Sequence, residues 1–280
     1  MSPAVIRGFG RPGFARSCRG PGAWCAGERA VVAEILPSTA AGDRRNEPSQ
    51  AVFQQEWRIY RTLVDENYLF HREAYACLHR ILVEDVRRPF RFLDVACGDA
   101  TASVEALTGT AITHYHGIDL SAAALELARS ALAVLDCPVT LEHADYVEAL
   151  RDWREPPDVV WIGLSLHHLR TAEKLAVLRA IRTILAKDGH LFIYEATSPD
   201  GENREGWLRR WDDQKPLWTA YAPDEWETIT AHVHAADYPE TASRWVSLAQ
   251  EAGFAEAREA FVAPSDLIRL YWMPAGDAAR

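Results

Sequence analysis

Between residues 51 and 88, apolar residues recur at steps of three and four: Phe53, Trp57, Tyr60, Val64, Tyr68, His71, Tyr75, Leu78 and Leu82. That spacing predicts one face of a helix, or of two consecutive helices, stopped by Pro89. From Arg91 the pattern changes to short apolar runs that alternate with helical stripes. Strands are predicted at 91–95, 112–118, 139–142, 158–164 and 190–195, and helices at 101–108, 122–135 and from Thr171 to about Leu185. Alternation of this kind implies a parallel sheet with helices on both faces. Residues 197–238, rich in tryptophan and acid, form an insert. Thr241 opens a last helix (Ala242, Trp245, Leu248, Ala249) that ends at Gly253. Two final strands, 257–263 and 267–273, lie too close for a helical crossover and should pair antiparallel. Residues 1–50 hold many glycines, prolines and arginines without apolar periodicity and read as a flexible extension.

Three segments at successive strand ends carry chemistry. The first is Phe92-Leu93-Asp94-Val95-Ala96-Cys97-Gly98-Asp99-Ala100-Thr101, an apolar strand followed by small residues and a helix start. Ligands of open α/β sheets bind at the carboxyl ends of the strands, and small residues there let the backbone approach closely. Asp94 could orient an ammonium group, and Gly98 is where a Cβ would intrude. The second is Gly117-Ile118-Asp119-Leu120-Ser121, whose acid lies where ribose hydroxyls are bound. In the third, His143-Ala144-Asp145-Tyr146, Asp145 can accept from an adenine amino group or cap the next helix. Together the three acids match a ligand with a cationic amino-acid tail, a ribose and an adenine.

Over about residues 90–273 the chain resembles class I S-adenosylmethionine-dependent methyltransferases of the small-molecule type. The resemblance rests on these segments and on Leu164-Ser165-Leu166-His167-His168-Leu169 and Ala186-Lys187-Asp188-Gly189-His190-Leu191. It implies an α/β, Rossmann-like, seven-stranded and mostly parallel sheet of order 3-2-1-4-5-7-6, its last strand antiparallel. It implies S-adenosyl-L-methionine as cofactor, held by Asp94, Ala96, Gly98, Asp119, Leu120, Asp145, Tyr146 and Leu164. The family usually has glycine where this chain has Ala96 and Ala100. Residues 51–88 become a helical lid, 90–196 the cofactor-binding core, 197–238 a cap and 241–273 the final helix and hairpin.

On the acceptor side, His167 and His168 end strand four, and histidine titrates near neutrality, so they are the candidate bases. Tyr68, His71, Tyr194, Glu195 and His232 are the candidate acceptor contacts. Trp207, Trp211, Trp218, Tyr221 and Trp226 read chiefly as packing for the insert, with an aromatic acceptor wall as the second reading. No metal is expected, although His232, His234 and Asp237 stand close in sequence.

The net charge of −10 sharpens the acceptor class. Residues 1–50 carry seven arginines against four acids, which leaves −13 on the remaining 230 residues. An acidic body is a poor partner for phosphate backbones, and segment four is not the Asp/Asn-Pro-Pro-Tyr pattern of nucleic-acid amino methyltransferases, so the acceptor should be a small molecule taking the methyl on oxygen or nitrogen. No apolar run approaches a membrane span. Five cysteines without C-x-x-C spacing suggest reduced thiols and a cytoplasmic protein, monomeric or homodimeric. The rival readings are a nicotinamide-dependent oxidoreductase, which would want Gly-x-Gly-x-x-Gly, and a non-catalytic binder of the same cofactor.

Overall fold

The computed structural model describes residues 50–276, with side chains from residue 58. The extension expected over 1–50, and Phe53 and Trp57 of the first stripe, lie outside the described residues and side chains. The stripe forms two helices, α1 (Gln50–Asp65) and α2 (His71–Ile81), followed by a wider turn at Leu82–Val86. The break between them is local chemistry. Asn67 and Phe70 adopt left-handed φ values of 58° and 63°, and Asn67 Oδ1 accepts from Arg72 N at 3.0 Å. The core face of α1 is one residue off the expected stripe: Ile59 and Leu63 are buried, while Tyr60 is 41% exposed.

The sheet follows the expected alternation. Its strands are β1 (Phe90–Val95), β2 (Ile112–Asp119), β3 (Val139–His143), β4 (Val159–Gly163), β5 (His190–Ser198), β6 (Glu240–Thr241), β7 (Arg258–Val262) and β8 (Ile268–Pro274). The seven longer strands run β3-β2-β1-β4-β5-β8-β7, with β8 antiparallel to β5 and to β7. Counted without β6, this is the expected order. Two-residue β6 is too short for a pattern to reveal; it pairs parallel with Thr197 and Ser198 of β5. Between the strands lie α3 (Thr101–Leu107), α4 (Ala122–Leu132), α5 (Tyr146–Arg151) and α6 (Thr171–Ile184). Helix α4 stops short of the expected residue 135, because Leu135 N donates to Leu132 O in a tightened turn.

Strand alternation sorts side chains into two cores. Leu93, Val95, Val160, Ile162, Leu191 and Ile193 face one side, against α6 and α9 (Ala242–Glu251). Phe90, Phe92, Val159, Trp161, Phe192, Tyr194 and Ala196 face the other, under the N-terminal helices and the insert. The insert folds into α7 (Arg204–Asp212) and α8 (Pro223–Ala236), with Trp207, Trp211, Trp218, Tyr221 and Trp226 all buried. The packing reading of these aromatics therefore holds.

A buried ion pair anchors the end of α8 to the sheet. Lys174 on α6, fully buried, donates to Glu240 Oε1 at 2.9 Å and to the Tyr238 carbonyl. Thr171 Oγ1 adds a second bond to the same carboxylate at 2.8 Å. Tyr238 N in turn donates to His167 O at 2.7 Å. These contacts bring Asp237 to the carboxyl edge of the sheet.

Candidate active site

At the end of β1 the chain turns through three left-handed residues, Ala96 (φ 57°), Gly98 (φ 54°) and Ala100 (φ 55°). A Cβ built on Gly98 would meet nothing within 4 Å, so its missing side chain faces open space. The two alanines hold a conformation that costs an L-residue about 1–2 kcal/mol. Ala96→Gly relieves that strain and loses part of it to the freer unfolded chain. The variant is expected to melt a few degrees higher in a thermal denaturation; a lower Tm would show that Ala96 is unstrained.

The turn is held from β2. Asp119 Oδ2 accepts from Gly98 N at 2.8 Å and Oδ1 from Ser121 N at 2.8 Å. Burial raises its pKa above the usual aspartate value, against these bonds. Asp94 is 1% exposed and accepts from Ser103 Oγ and Tyr115 Oη, both at 2.6 Å. Burial pushes its pKa up to about 7. Asp99 lines the cleft beside this turn and makes two bonds at its edge. It accepts from Thr101 N at the start of α3, and from Arg61 Nη1 of α1 at 3.0 Å beside the turn.

The loop after β4 is organised by Glu195, which is fully buried. Its Oε1 accepts from Ser165 N at 2.7 Å and Leu166 N at 2.6 Å, and its Oε2 from His167 N at 3.2 Å. Oε2 also pairs with His167 Nδ1 at 2.8 Å. Burial alone would raise the carboxyl pKa, but His167 and these amides hold it below the usual glutamate value. Burial alone would lower His167, but the Glu195 carboxylate outweighs it and the ring's pKa rises above the ordinary histidine value. With Nδ1 committed to Glu195, Nε2 turns toward Asp237, 3.9 Å from Oδ1. His168 Nδ1 lies 3.3 Å from the same oxygen, and its ring meets His232 edge-on at 5.4 Å.

Two spaces meet at this loop. A cleft of about 490 Å³ is lined by Ala96 to Ser103, Asp94, Asp119, Ser121, Tyr60, His71, Tyr75, Leu164 and His168. A cavity of about 280 Å³ has apolar walls from Ile59, Leu63, Leu69, Trp207, Trp211, Ile229 and Val233, and polar groups from His167, His168, His232 and Asp237. Tyr60, Leu164 and His168 line both. Trp207 and Trp211 thus pack the insert and also form an aromatic wall.

The structure places several of the candidate residues away from these two spaces. Asp145 caps α5, its Oδ1 accepting from Val147 N at 2.8 Å. Leu120 is 57% exposed, and neither it, Asp145 nor Tyr146 lines the cleft. Tyr68 lines neither space; it stacks on Trp218 at 4.9 Å and accepts from Ala220 N. Tyr194 and Glu195 are fully buried and line neither. Tyr194 donates to the Leu69 carbonyl, so it holds the turn between α1 and α2. His71 lines the cofactor-side cleft rather than the apolar cavity; burial lowers its pKa to about 4, and both ring nitrogens lack hydrogen-bond partners. His232 lies on the cavity wall, whereas His234 turns away to Asp212 at 2.9 Å. Asp237 enters instead: among the described residues, His167, His168 and Asp237 bring one nitrogen or oxygen each within 4.8 Å of one another.

Comparison with known proteins agrees with this architecture. Residues 92–189 match the family model of a methyltransferase domain. No curated protein sequence matches the chain. Among solved structures it is similar to the plantazolicin methyltransferase BamL in complex with a triazolic desmethylPZN analog and SAH (13% identity, 89% of this chain and 95% of that one, TM-score 0.57). It is also similar to magnesium protoporphyrin IX methyltransferase ChlM from Synechocystis PCC 6803 with bound SAH (15%, 80% and 94%, TM-score 0.55). A third likeness is to the pyocyanin biosynthetic protein PhzM (20%, 71% and 54%, TM-score 0.50), of which the chain spans about half the length. Residues 92–189 are thus similar to a methyltransferase domain, and the chain carries them on a Rossmann-like α/β fold.

Proposed function

We propose that this chain uses S-adenosylmethionine to methylate a hydroxyl group of a small, largely apolar molecule. The observation that carries the reading is the meeting of two unlike spaces, one polar and backbone-lined, the other apolar and aromatic, at Tyr60, Leu164 and His168. The polar cleft fits the cofactor. Gly98 leaves it open, and each Asp119 oxygen keeps a lone pair for a ribose hydroxyl beyond the backbone amide it already accepts. Asp94 fixes the turn through Ser103 and Tyr115. When bound, the cofactor supplies a methyl group already activated on a sulfonium.

The protein then has to position the acceptor and remove its proton. His167 suits the second task. Glu195 fixes its Nδ1–H, which leaves the Nε2 lone pair for the acceptor hydroxyl. His168 and His232 line the same wall and orient the acceptor. Tyr194 and Glu195 act from beneath, as positioning residues.

The other parts of the reading follow composition. The acidic body disfavours nucleic acid, and among the described residues no helix is long and apolar enough to cross a membrane. Cys77, Cys97 and Cys137 are free thiols, which suits the reducing cytoplasm. A monomer or homodimer suffices, since one chain supplies both spaces.

Calorimetric titration with S-adenosylhomocysteine tests the cofactor. Asp119→Ala is expected to weaken binding by about 1–3 kcal/mol, the range for lost hydrogen bonds in a buried site. No binding by the folded protein, or preference for NAD, would refute the reading in favour of the oxidoreductase. Binding without turnover across a broad acceptor panel would favour the non-catalytic alternative.

A further inference from the structure

We propose that the acceptor carries two adjacent hydroxyl groups on a flat apolar body, one held by His167 Nε2 and the other by Asp237 Oδ1. The inference rests on the methyl-transfer reading and extends it to the acceptor's own pattern of donors. Asp237 is 5% exposed, lines the apolar cavity, and its Oδ1 accepts no hydrogen bond. A buried carboxylate oxygen left without a donor is costly, and a ligand that brings one is selected accordingly. His168 Nδ1 stands near it at 3.3 Å, a long contact made by a side chain 43% exposed whose ring also packs against His167 and His232.

The spacing says what that donor is attached to. Oδ1 and His167 Nε2 are 3.9 Å apart. Two oxygens on neighbouring carbons, each at an ordinary ~2.8 Å from its protein atom, bridge such a gap. A single hydroxyl can serve one atom well and leaves the other unpaired. The cavity walls fix the rest of the molecule: Trp207 and Trp211 stack with ring centroids 5.9 Å apart and only 28° between planes, and Ile229 and Val233 also line the space. An aromatic vicinal diol fits both features.

The same three side chains invite comparison with a metal shell. Ligands around a tetrahedral zinc, each about 2.0–2.1 Å from the ion, sit roughly 3.3 Å apart. The 3.3 Å between His168 Nδ1 and Oδ1 equals that edge, but the 3.9 Å between His167 Nε2 and Oδ1 is wider and leaves room for two interposed hydroxyl groups.

The test is calorimetry on protein saturated with S-adenosylhomocysteine, in EDTA, with naphthalene-2,3-diol and 2-naphthol as a matched pair. The diol is expected to bind at least about tenfold more tightly, the scale of one hydrogen bond to a buried charge. In Asp237→Ala the preference should fall to within about twofold, and Asp237→Asn, which keeps the side chain's size, guards against a folding defect. Equal affinities in the wild type, failure of both probes to bind, or a preference that survives Asp237→Ala would overturn the proposal. So would a preference seen only when Mg²⁺ or Zn²⁺ replaces EDTA, which would assign the cluster to a metal instead. Intact diol preference without methylated product from S-adenosylmethionine would refute the methyl-transfer reading and leave the two-donor site standing.

Discussion

His167→Ala is expected to lower kcat by about two to four orders of magnitude, the range for losing a positioned general base, with affinity for S-adenosylhomocysteine nearly unchanged. The separation follows from where the ring sits: it lines the apolar cavity but not the cleft around Gly98. The pH profile is the sharper readout. His167 must be neutral to accept a proton, and Glu195 raises its pKa above the ordinary histidine value. Activity should therefore rise with pH through that raised value and level off above it. The ion pair's contribution to stability has the opposite sense. It is fully present below the ordinary histidine pKa and fades as pH rises through the raised one. A variant that loses less than tenfold in kcat, or keeps the acid limb of the wild type, would remove His167 from the reaction.

Glu195→Ala is expected to destabilise the fold by about 3–5 kcal/mol, the cost of breaking a buried charged network. Three backbone amides, of Ser165, Leu166 and His167, lose their acceptor at once, and the His167 ring loses its anchor. Urea unfolding measures the loss; a change under 1 kcal/mol would mean that water replaces the carboxylate without strain. Glu195→Gln separates structure from electrostatics. It nearly preserves volume and removes the charge that raises His167, so the acid limb of the pH profile should move to lower pH. A limb that stays in place would show that Glu195 does not tune the ring.

The comparison of these two residues shows what a linear sequence conveys. Asp94, Gly98 and Asp119 were legible because each follows an apolar run at a strand's carboxyl end, and strand ends are where such sheets bind ligands. Glu195 ends the strand the sequence predicts, although β5 runs on to Ser198, and it is no wall of the site. Strand parity holds the reason: it shares the face of Leu191 and Ile193, which packs on α6 and α9, whereas Tyr194 shares the face of Phe192. Tyr194 is on the right face but lies under α2, with His71 edge-on at 5.5 Å. Asp237 sits 70 positions from His167, and only β6 and the Lys174–Glu240 pair bring it back to the sheet. Long-range closure of that kind leaves no periodic trace. Asp145 was ambiguous in the sequence, and in the structure it caps a helix.

Helix α1 has a consequence for the order of events. Ile59 and Leu63 wall the apolar cavity, while Arg61 and Val64 wall the cleft, and Tyr60 touches both. One helix is thus a shared partition between two rooms. Whatever steadies the helix from one side steadies it for the other, and by linkage the favour is returned in equal measure. On the methyl-transfer reading this wall couples the two ligands beyond their direct contact, so the apparent affinity for either is expected to report on the occupancy of its neighbour.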